Sequence, residues 1–361
     1  MAFRSEGEYP SVSRVVTGLW SLDRAYSGID REGRVALGWP MTIHEIFGMK
    51  GVGKSSVSTS LSGIVAQHFG GNVVYAPIEH IDRDLLENTL ESVGFEGLVS
   101  ILGGRDMVKK FLPTLKMGKE EVVGDEIIGD CFVEALRRDE YVFGIFDSLS
   151  AVSPIEEAES SSADKNMGRR ARLAGVWVRQ ILHASRSREE GLCPSVIFIS
   201  HVVTPMGGGT PTNTGTTTSG GEAKKNLAKA RTKLRKLPEP TMTDHDENAF
   251  VVEGTVEQFN FGKDKRKFYL VVLGGKGIHR GLTAMYDCKM SGLCTFGASI
   301  TLGGQKFGRM STIIEKAHAG DDEFFQPFIQ ALKNPSSVGK AKSDGEIEDE
   351  IPEIYDNEEM A

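Results

Sequence analysis

The chain has 361 residues, enough for one large α/β domain of roughly 200–250 residues with smaller additions. Its 39% apolar and 25% charged content is ordinary for a soluble globular protein. The opening MAFRSEGEYP lacks the apolar core of a secretory signal, and no apolar run reaches membrane-spanning length. Cys131, Cys193, Cys288 and Cys294 form no C-x-x-C pair, so the expectation is reduced thiols in a cytoplasmic protein. A net charge of −8 argues against a nucleic-acid binder, but it is unevenly placed. Nine acids and no base lie between Asp344 and Ala361, leaving residues 1–343 at about +1. Within that body Lys224, Lys225, Lys229, Arg231, Lys233, Arg235 and Lys236 fall in thirteen residues without an acid.

Four short apolar runs read as buried strands: 42–48 (TIHEIFG), 72–79 (NVVYAPIE), 141–147 (YVFGIFD) and 195–201 (SVIFISH). Helical patterns at 55–68 and 167–185 lie between them, which predicts a mostly parallel sheet covered by helices on both faces. Segment 103–135 is longer than a simple crossover and reads as helix-rich. Residues 155–166 are polar and aperiodic, and 203–221 (VTPMGGGTPTNTGTTTSGG) are too rich in Gly and Thr to pack a core. The basic run 224–236 carries Leu227, Ala230, Leu234 and Leu237 at amphipathic spacing; a DNA-facing element and a plain solvated helix face are both open. Strands at 251–260 and 266–274 follow, then a small C-terminal subdomain. The expected division is a short segment 1–15, a core 16–285, a subdomain 286–335 and an acidic disordered tail 336–361.

Gly48-Met-Lys-Gly-Val-Gly53-Lys54-Ser55 fits G-x-x-x-x-G-K-[ST] and stands between an apolar strand and a helical run, the context a phosphate-binding P-loop needs. Glycines let backbone N–H groups curl around phosphates; Gly48, Lys50, Gly51, Val52, Gly53, Lys54, Ser55 and Ser56 are the expected nucleotide contacts. Lys54 brings positive charge, and the Ser55 hydroxyl is placed to ligate Mg²⁺. Asp147 ends the strand YVFGIFD, where a carboxylate can hold the same ion. Glu79, 25 residues after Lys54, can orient and polarise water for attack on a γ-phosphate. His201 ends SVIFISH just before the Gly/Thr loop; it reads either as a structural histidine or as a group that touches the γ-phosphate.

With these motifs in place the chain resembles the RecA/RadA recombinases, and more closely their UvsX-type bacteriophage members. The likeness runs from Val16 to Gly277, roughly seven-tenths of the chain. VVTGLWSLDRAYSG and GWPMTIHEIFG resemble the family's approach to the P-loop strand. IEHID is similar to the segment bearing its catalytic glutamate, which supports Glu79. FDSLSAVSP resembles its Walker B strand and the start of a first DNA-binding loop. MGRRAR (Met167–Arg172) is similar to the MG-x-x-AR helix start, TTTSGGEAKK (216–225) to the end of a second loop, and VVLGGKGIHRG to the closing strand and turn. The resemblance implies a RecA-like P-loop NTPase core and a DNA-dependent ATPase using ATP and Mg²⁺. It also implies self-association as a filament on single-stranded DNA and strand exchange with homologous duplex. A single-strand-binding or loading protein is a further expected partner, and a bacterial host cytoplasm the expected location.

On that resemblance the loops near 155–166 and 203–221 face single-stranded DNA. Arg169, Arg172 and Arg179 at helical spacing meet phosphates, Thr217, Thr218, Gly220 and Gly221 donate hydrogen bonds, and Met206 wedges between bases. Arg83, by its position in the family, stacks on adenine. The sequence also departs from the pattern. Only about 15 residues precede the core, and 103–135 has no counterpart. Where many bacterial members place two lysines that reach a neighbour's γ-phosphate, this chain has Glu257-Gln258-Phe259-Asn260, with Lys263 and Lys265 only nearby. A hexameric helicase-type motor and a nucleotide-gated regulator without turnover are the competing readings. The motor would not be expected to show MG-x-x-AR followed by TTTSGG, whereas in the regulator the missing trans lysines leave binding without turnover.

Overall fold

The computed structural model describes residues 12–29, 34–79, 81–116, 123–149, 151–152, 167–186, 193–203, 217–218, 228–239, 242, 244, 246 and 248–338. Near the N-terminus, helix α1 (Trp20–Ala25) sits among two pairs of two-residue strands, Arg14–Val15 with Trp39–Pro40 and Gly28–Ile29 with Val35–Ala36. The main chain path then alternates: β1 (Ile43–Gly48), α2 (Lys54–Phe69), β2 (Asn72–Pro77), α3 (Arg83–Ser92) and β3 (Val99–Ile101). Helices α4 (Arg105–Phe111) and α5 (Asp125–Leu136) follow, so the described part of 103–135 is helical as expected. β4 (Tyr141–Asp147), α6 (Met167–Arg186) and β5 (Ser195–Val203) follow, with the short β6 (Thr217–Thr218) pairing antiparallel with β5. β7 (Ala230–Leu237), β8 (Phe250–Phe259), β9 (Lys267–Leu273) and β10 (Gly277–Ile278) close the sheet.

These ten strands form one sheet in the order β10-β9-β8-β7-β1-β5-β4-β2-β3, with β6 paired to β5. Pairing is parallel from β7 through β1, β5, β4 and β2 to β3, and antiparallel among β7, β8, β9 and β10. The strands of the parallel half are apolar at nearly every position because helices cover both faces. On β2, Val73 and Tyr75 join a core with Val57, Leu61 and Leu90 of α2 and α3; Val74 and Ala76 join the opposite one. The second core packs Phe132 of α5 and Trp177, Val178 and Ile181 of α6 against Phe146 and Phe198. The expected mostly parallel α/β sheet is the observed architecture.

The basic run is where expectation and structure part. The described portion is β7, an inner strand between β1 and β8, and not a helix. Its burial has period two, with Ala230, Thr232 and Leu234 inward. Thr232 supplies an inward position that a count of apolar residues overlooks, and the 3–4 spacing of the remaining apolar residues mimics a helix. Two of the cations on this strand already have acidic partners. Arg231 Nε bonds Glu45 at 2.6 Å, and Arg235 bonds Glu253 at 3.0 Å. Lys224 and Lys225 lie outside the described residues, as does the acidic tail from Asp344.

Beyond β10, helix α7 (Arg280–Met290), a three-stranded sheet of β11 (Cys294–Thr295), β12 (Ile300–Leu302) and β13 (Gln305–Gly308), α8 (Met310–His318) and α9 (Asp322–Lys333) follow. A third apolar core joins Val251, Val271 and Leu273 of the antiparallel strands to Leu282 and Met285 of α7 and Phe325 and Phe328 of α9. Asp287 of α7 is buried in this region. Ser21 N donates to its Oδ2 at 3.1 Å, and among the described residues its Oδ1 has no hydrogen-bond partner. Burial pushes its carboxyl up to about 7, outweighing the Ser21 hydrogen bonds that pull it down. The fold therefore favours protonated Asp287, and stability falls as pH rises from the ordinary carboxylate value of 3.8 through about 7. Asp287→Asn should flatten the loss of thermal stability between pH 5 and pH 8. A parent and variant that melt in parallel across that range contradict the assignment.

Candidate functional site

Parallel register gathers the site. β1 pairs with β5 so that Gly48 lies opposite His201, and β2 pairs with β4 so that Pro77 lies opposite Asp147. All four positions are at the C-terminal ends of their strands, the edge where open α/β sheets place ligands. From Gly48 the chain turns through Met49–Gly53 and enters α2 at Lys54. Gly51 and Gly53 hold φ of +80° and +86°, the left-handed region that side-chain-bearing residues avoid. A Cβ at Gly51 would meet no protein atom within 4 Å, whereas one at Gly53 would stand 3.0 Å from the Phe250 ring. The N-terminal N–H groups of α2 have no side-chain cap, so its positive dipole end stays open to an anion.

Lys54 is buried, and its ammonium donates to the Gly48 carbonyl at 3.2 Å and the Met49 carbonyl at 2.9 Å. Burial lowers its pKa, against the opposing pull of Asp147 and Glu79. Ser55 Oγ donates to Asp147 Oδ2 at 2.6 Å, and the Tyr75 hydroxyl donates to the same oxygen at 2.8 Å. Burial raises the Asp147 pKa more than those two hydrogen bonds lower it. Asp147 and Ser148 are joined by a cis peptide bond.

β2 stops at Pro77, so Glu79 sits two residues past the strand end rather than closing it. The Ile78 and Glu79 N–H groups both donate to the Asp147 carbonyl, at 2.7 and 3.1 Å, which fixes the departure of this segment. Glu79 Oε1 accepts from Ser148 Oγ at 2.7 Å and lies 2.8 Å from His201 Nε2. Burial alone pushes Glu79 up. The Ser148 and His201 hydrogen bonds, with the charges of His201 and Lys54, outweigh it and leave the carboxyl below its ordinary value.

Lys50, Gly51, Gly53, Lys54, Ser55 and Ser56 line one side of a cavity of about 310 Å³; Glu79, Asp147, His201 and Phe250 line the rest. The lining thus holds nine of the predicted P-loop, metal and catalytic residues; of the others, Gly48 ends the strand leading in, and Val52 is buried in the turn. Arg83 is not in the lining; it starts α3, exposed, with Nε 3.3 Å from Glu87. On α6, Arg172 and Arg179 are exposed, on the face opposite the buried Val178 and Ile181. Arg169 lies in the first turn of the same helix. Thr217 and Thr218 form β6, paired antiparallel with Val203 and Val202, directly after His201. Met206, Gly220 and Gly221 lie outside the described residues. Tyr75, Ser148 and Phe250 were not singled out from sequence. Phe250 is almost 200 positions from the P-loop, and no local signal could have found it.

The donor set fits Mg²⁺ with a polyphosphate. Among the described residues no group of three or more His, Cys, Asp or Glu side chains gathers to hold a metal alone. A hydroxyl and a carboxylate 2.6 Å apart are hard oxygen donors of the kind Mg²⁺ takes together with phosphate oxygens and water. An uncapped helix start and a buried ammonium complete an anion site.

Fold and site define a P-loop α/β protein with a carboxylate–hydroxyl pair and an acid–imidazole pair at the mouth of its sheet. The chain is similar to Protein RecA of Nitratidesulfovibrio vulgaris, from strain DP4 and from strain Hildenborough. Each is 26% identical over 289 residues, which is 76% of this chain and 68% of the relative. This likeness supports a place with the RecA/RadA recombinases. The crystal structure of the RadB recombinase aligns with a TM-score of 0.42 at 15% identity, over 67% of this chain and 92% of that one. No protein-family model matches the sequence. Among the described residues no helix is long and apolar enough to cross a membrane.

The loop geometry makes a prediction that needs no ligand. Gly53→Ala forces a Cβ into a left-handed residue and against the Phe250 ring, and should lower the unfolding free energy by about 1–2 kcal/mol in denaturant titration. An unchanged midpoint would mean the loop does not adopt this turn.

Proposed function

We propose that the protein is an ATP-dependent homologous-recombination protein of the RecA/RadA kind, nearest in sequence character to the UvsX-type members. It binds single-stranded DNA as a self-associated filament and pairs it with homologous duplex. The observation that carries this reading is Glu79, held between Ser148 and His201 in the cavity that Lys54, Ser55 and Asp147 line. The 26% identity to Protein RecA supports the same conclusion.

When bound, ATP supplies a transferable phosphoryl group and Mg²⁺ a counter-charge for it. Lys54 exchanges its two backbone carbonyl partners for phosphate oxygens and stabilises their charge. Ser55 and Asp147 are the side chains that hold Mg²⁺, and Tyr75 fixes the Asp147 carboxylate from behind. Glu79, ionised because its pKa is lowered, orients a water and takes its proton. A carboxylate with a lowered pKa is a weak base, so its contribution is mostly placement of the water.

His201 links this chemistry to DNA. Its ring holds Glu79, while the two residues after it pair with Thr217 and Thr218, so both arms of the segment 203–218 are anchored beside the imidazole. A change of occupancy at the cavity therefore has a short path to the second DNA-binding loop. Arg172 and Arg179 on α6 supply phosphate contacts, and Arg169, Met206, Gly220 and Gly221 extend that surface. Exposed Lys263 and Lys265 lie at the far end of β8 from Phe250, about 30 Å away along a ten-residue strand, so a γ-phosphate contact from either would have to be made in a neighbouring protomer's site. Lys265 meanwhile pairs with Glu257. A single-strand-binding or loading protein docking on the acidic tail belongs to the same proposal.

ATPase assays with and without single-stranded DNA test this. The strand should stimulate turnover of the parent, and Glu79→Ala should lower kcat about 100-fold or more while ATP still binds. A parent that binds ATP without turnover, DNA present or absent, makes the protein a nucleotide-gated regulator. Unwinding without strand exchange makes it a helicase-type motor.

Arg172→Ala should weaken single-stranded DNA binding and reduce its salt slope by about one, leaving ATP affinity unchanged. Equal loss of both affinities assigns Arg172 a structural role.

A further inference from the structure

The residues that Proposed function uses all gather at the phosphate end of the cavity. Nothing in them accounts for recognition of a nucleobase, and Arg83 is turned to Glu87 outside the lining. Among the described residues Phe250 is the one Phe, Tyr or Trp in the lining. It is the first residue of β8, on the antiparallel half of the sheet, and reaches the P-loop because β8 lies two strands from β1. Its ring edge abuts Gly53, where an added Cβ would stand 3.0 Å from Cε2 and 3.2 Å from Cζ. That contact places an apolar plane beside the start of α2, whose open N-terminus faces the proposed phosphate site.

The ring is only half-buried, and the group over its face is polar. Lys236, exposed on β7, carries its ammonium 4.4 Å from the ring centroid. A face covered by core side chains would be closed to a ligand. This one is covered by a cation on a flexible four-carbon stem, which a flat π-system can displace or share.

We infer that Phe250 is the platform on which the nucleobase of the bound nucleoside triphosphate rests, with Lys236 at its solvent side. This makes Phe250 a specificity-determining residue: it favours a nucleotide over inorganic polyphosphate. The inference rests on the nucleotide reading of the P-loop and adds the residue that reads the base.

The test compares two probes on the full-length protein with Mg²⁺: ATP and inorganic tripolyphosphate, each titrated calorimetrically. Phe250→Ala should weaken ATP binding about ten-fold and leave tripolyphosphate binding within two-fold of the parent, as loss of one base–aromatic stack predicts. Phe250→Trp should restore ATP affinity. Equal weakening of both probes by Phe250→Ala means the ring merely supports Gly53, which overturns the inference. So does a Phe250→Ala variant that binds ATP like the parent. A parent that binds neither probe overturns the nucleotide reading itself, a result distinct from failure at Phe250 alone.

Discussion

Six strands running parallel bring their C-terminal ends to one edge of the sheet, and the chemistry of this protein hangs on that edge. Shifting β5 by one residue against β1 would turn His201 to the other face and take its imidazole from Glu79. Register here is held by burial: Ile197 and Ile199 face one core while Val196 and Phe198 face the other. The same covering by helices that makes these strands apolar thus also fixes which residues meet at their ends.

At that edge the charges are arranged in two pairs with opposite tendencies. Asp147, deep and raised in pKa, needs a cation to be ionised comfortably, and Ser55 and Tyr75 partly compensate until one arrives. Glu79, shallower and lowered, is already ionised by its partners Ser148 and His201. Two carboxylates pushed in opposite directions suit the divided labour of the proposed hydrolytic site, one to hold metal and the other to hold water. The charges of both act on Lys54, partly offsetting the lowering of its pKa by burial.

Much of this was legible in the sequence because it is local. The P-loop is eight consecutive residues, and Asp147 and His201 each end an apolar run that reads as a strand. Glu79 lines the same cavity, though the strand stops short of it and its position depends on two backbone N–H groups reaching the Asp147 carbonyl. What was not legible is non-local. Tyr75 looks like any inward strand residue. Phe250 reaches the cavity only through the antiparallel addition of β8 beyond β7. The basic run misled for the same reason. Its cations suggested a free surface, while the acids that neutralise two of them, Glu45 and Glu253, come from neighbouring strands that no spacing rule connects.

In the proposed function, occupancy of the cavity sets the hold on DNA, through His201 and the strand pair that leaves it. Equilibrium binding to a single-stranded oligonucleotide, with and without a slowly hydrolysed ATP analogue and Mg²⁺, tests it most directly. Affinity should be about ten-fold or more tighter with the analogue, the range expected of coupled sites. Equal affinity in the two conditions would contradict it.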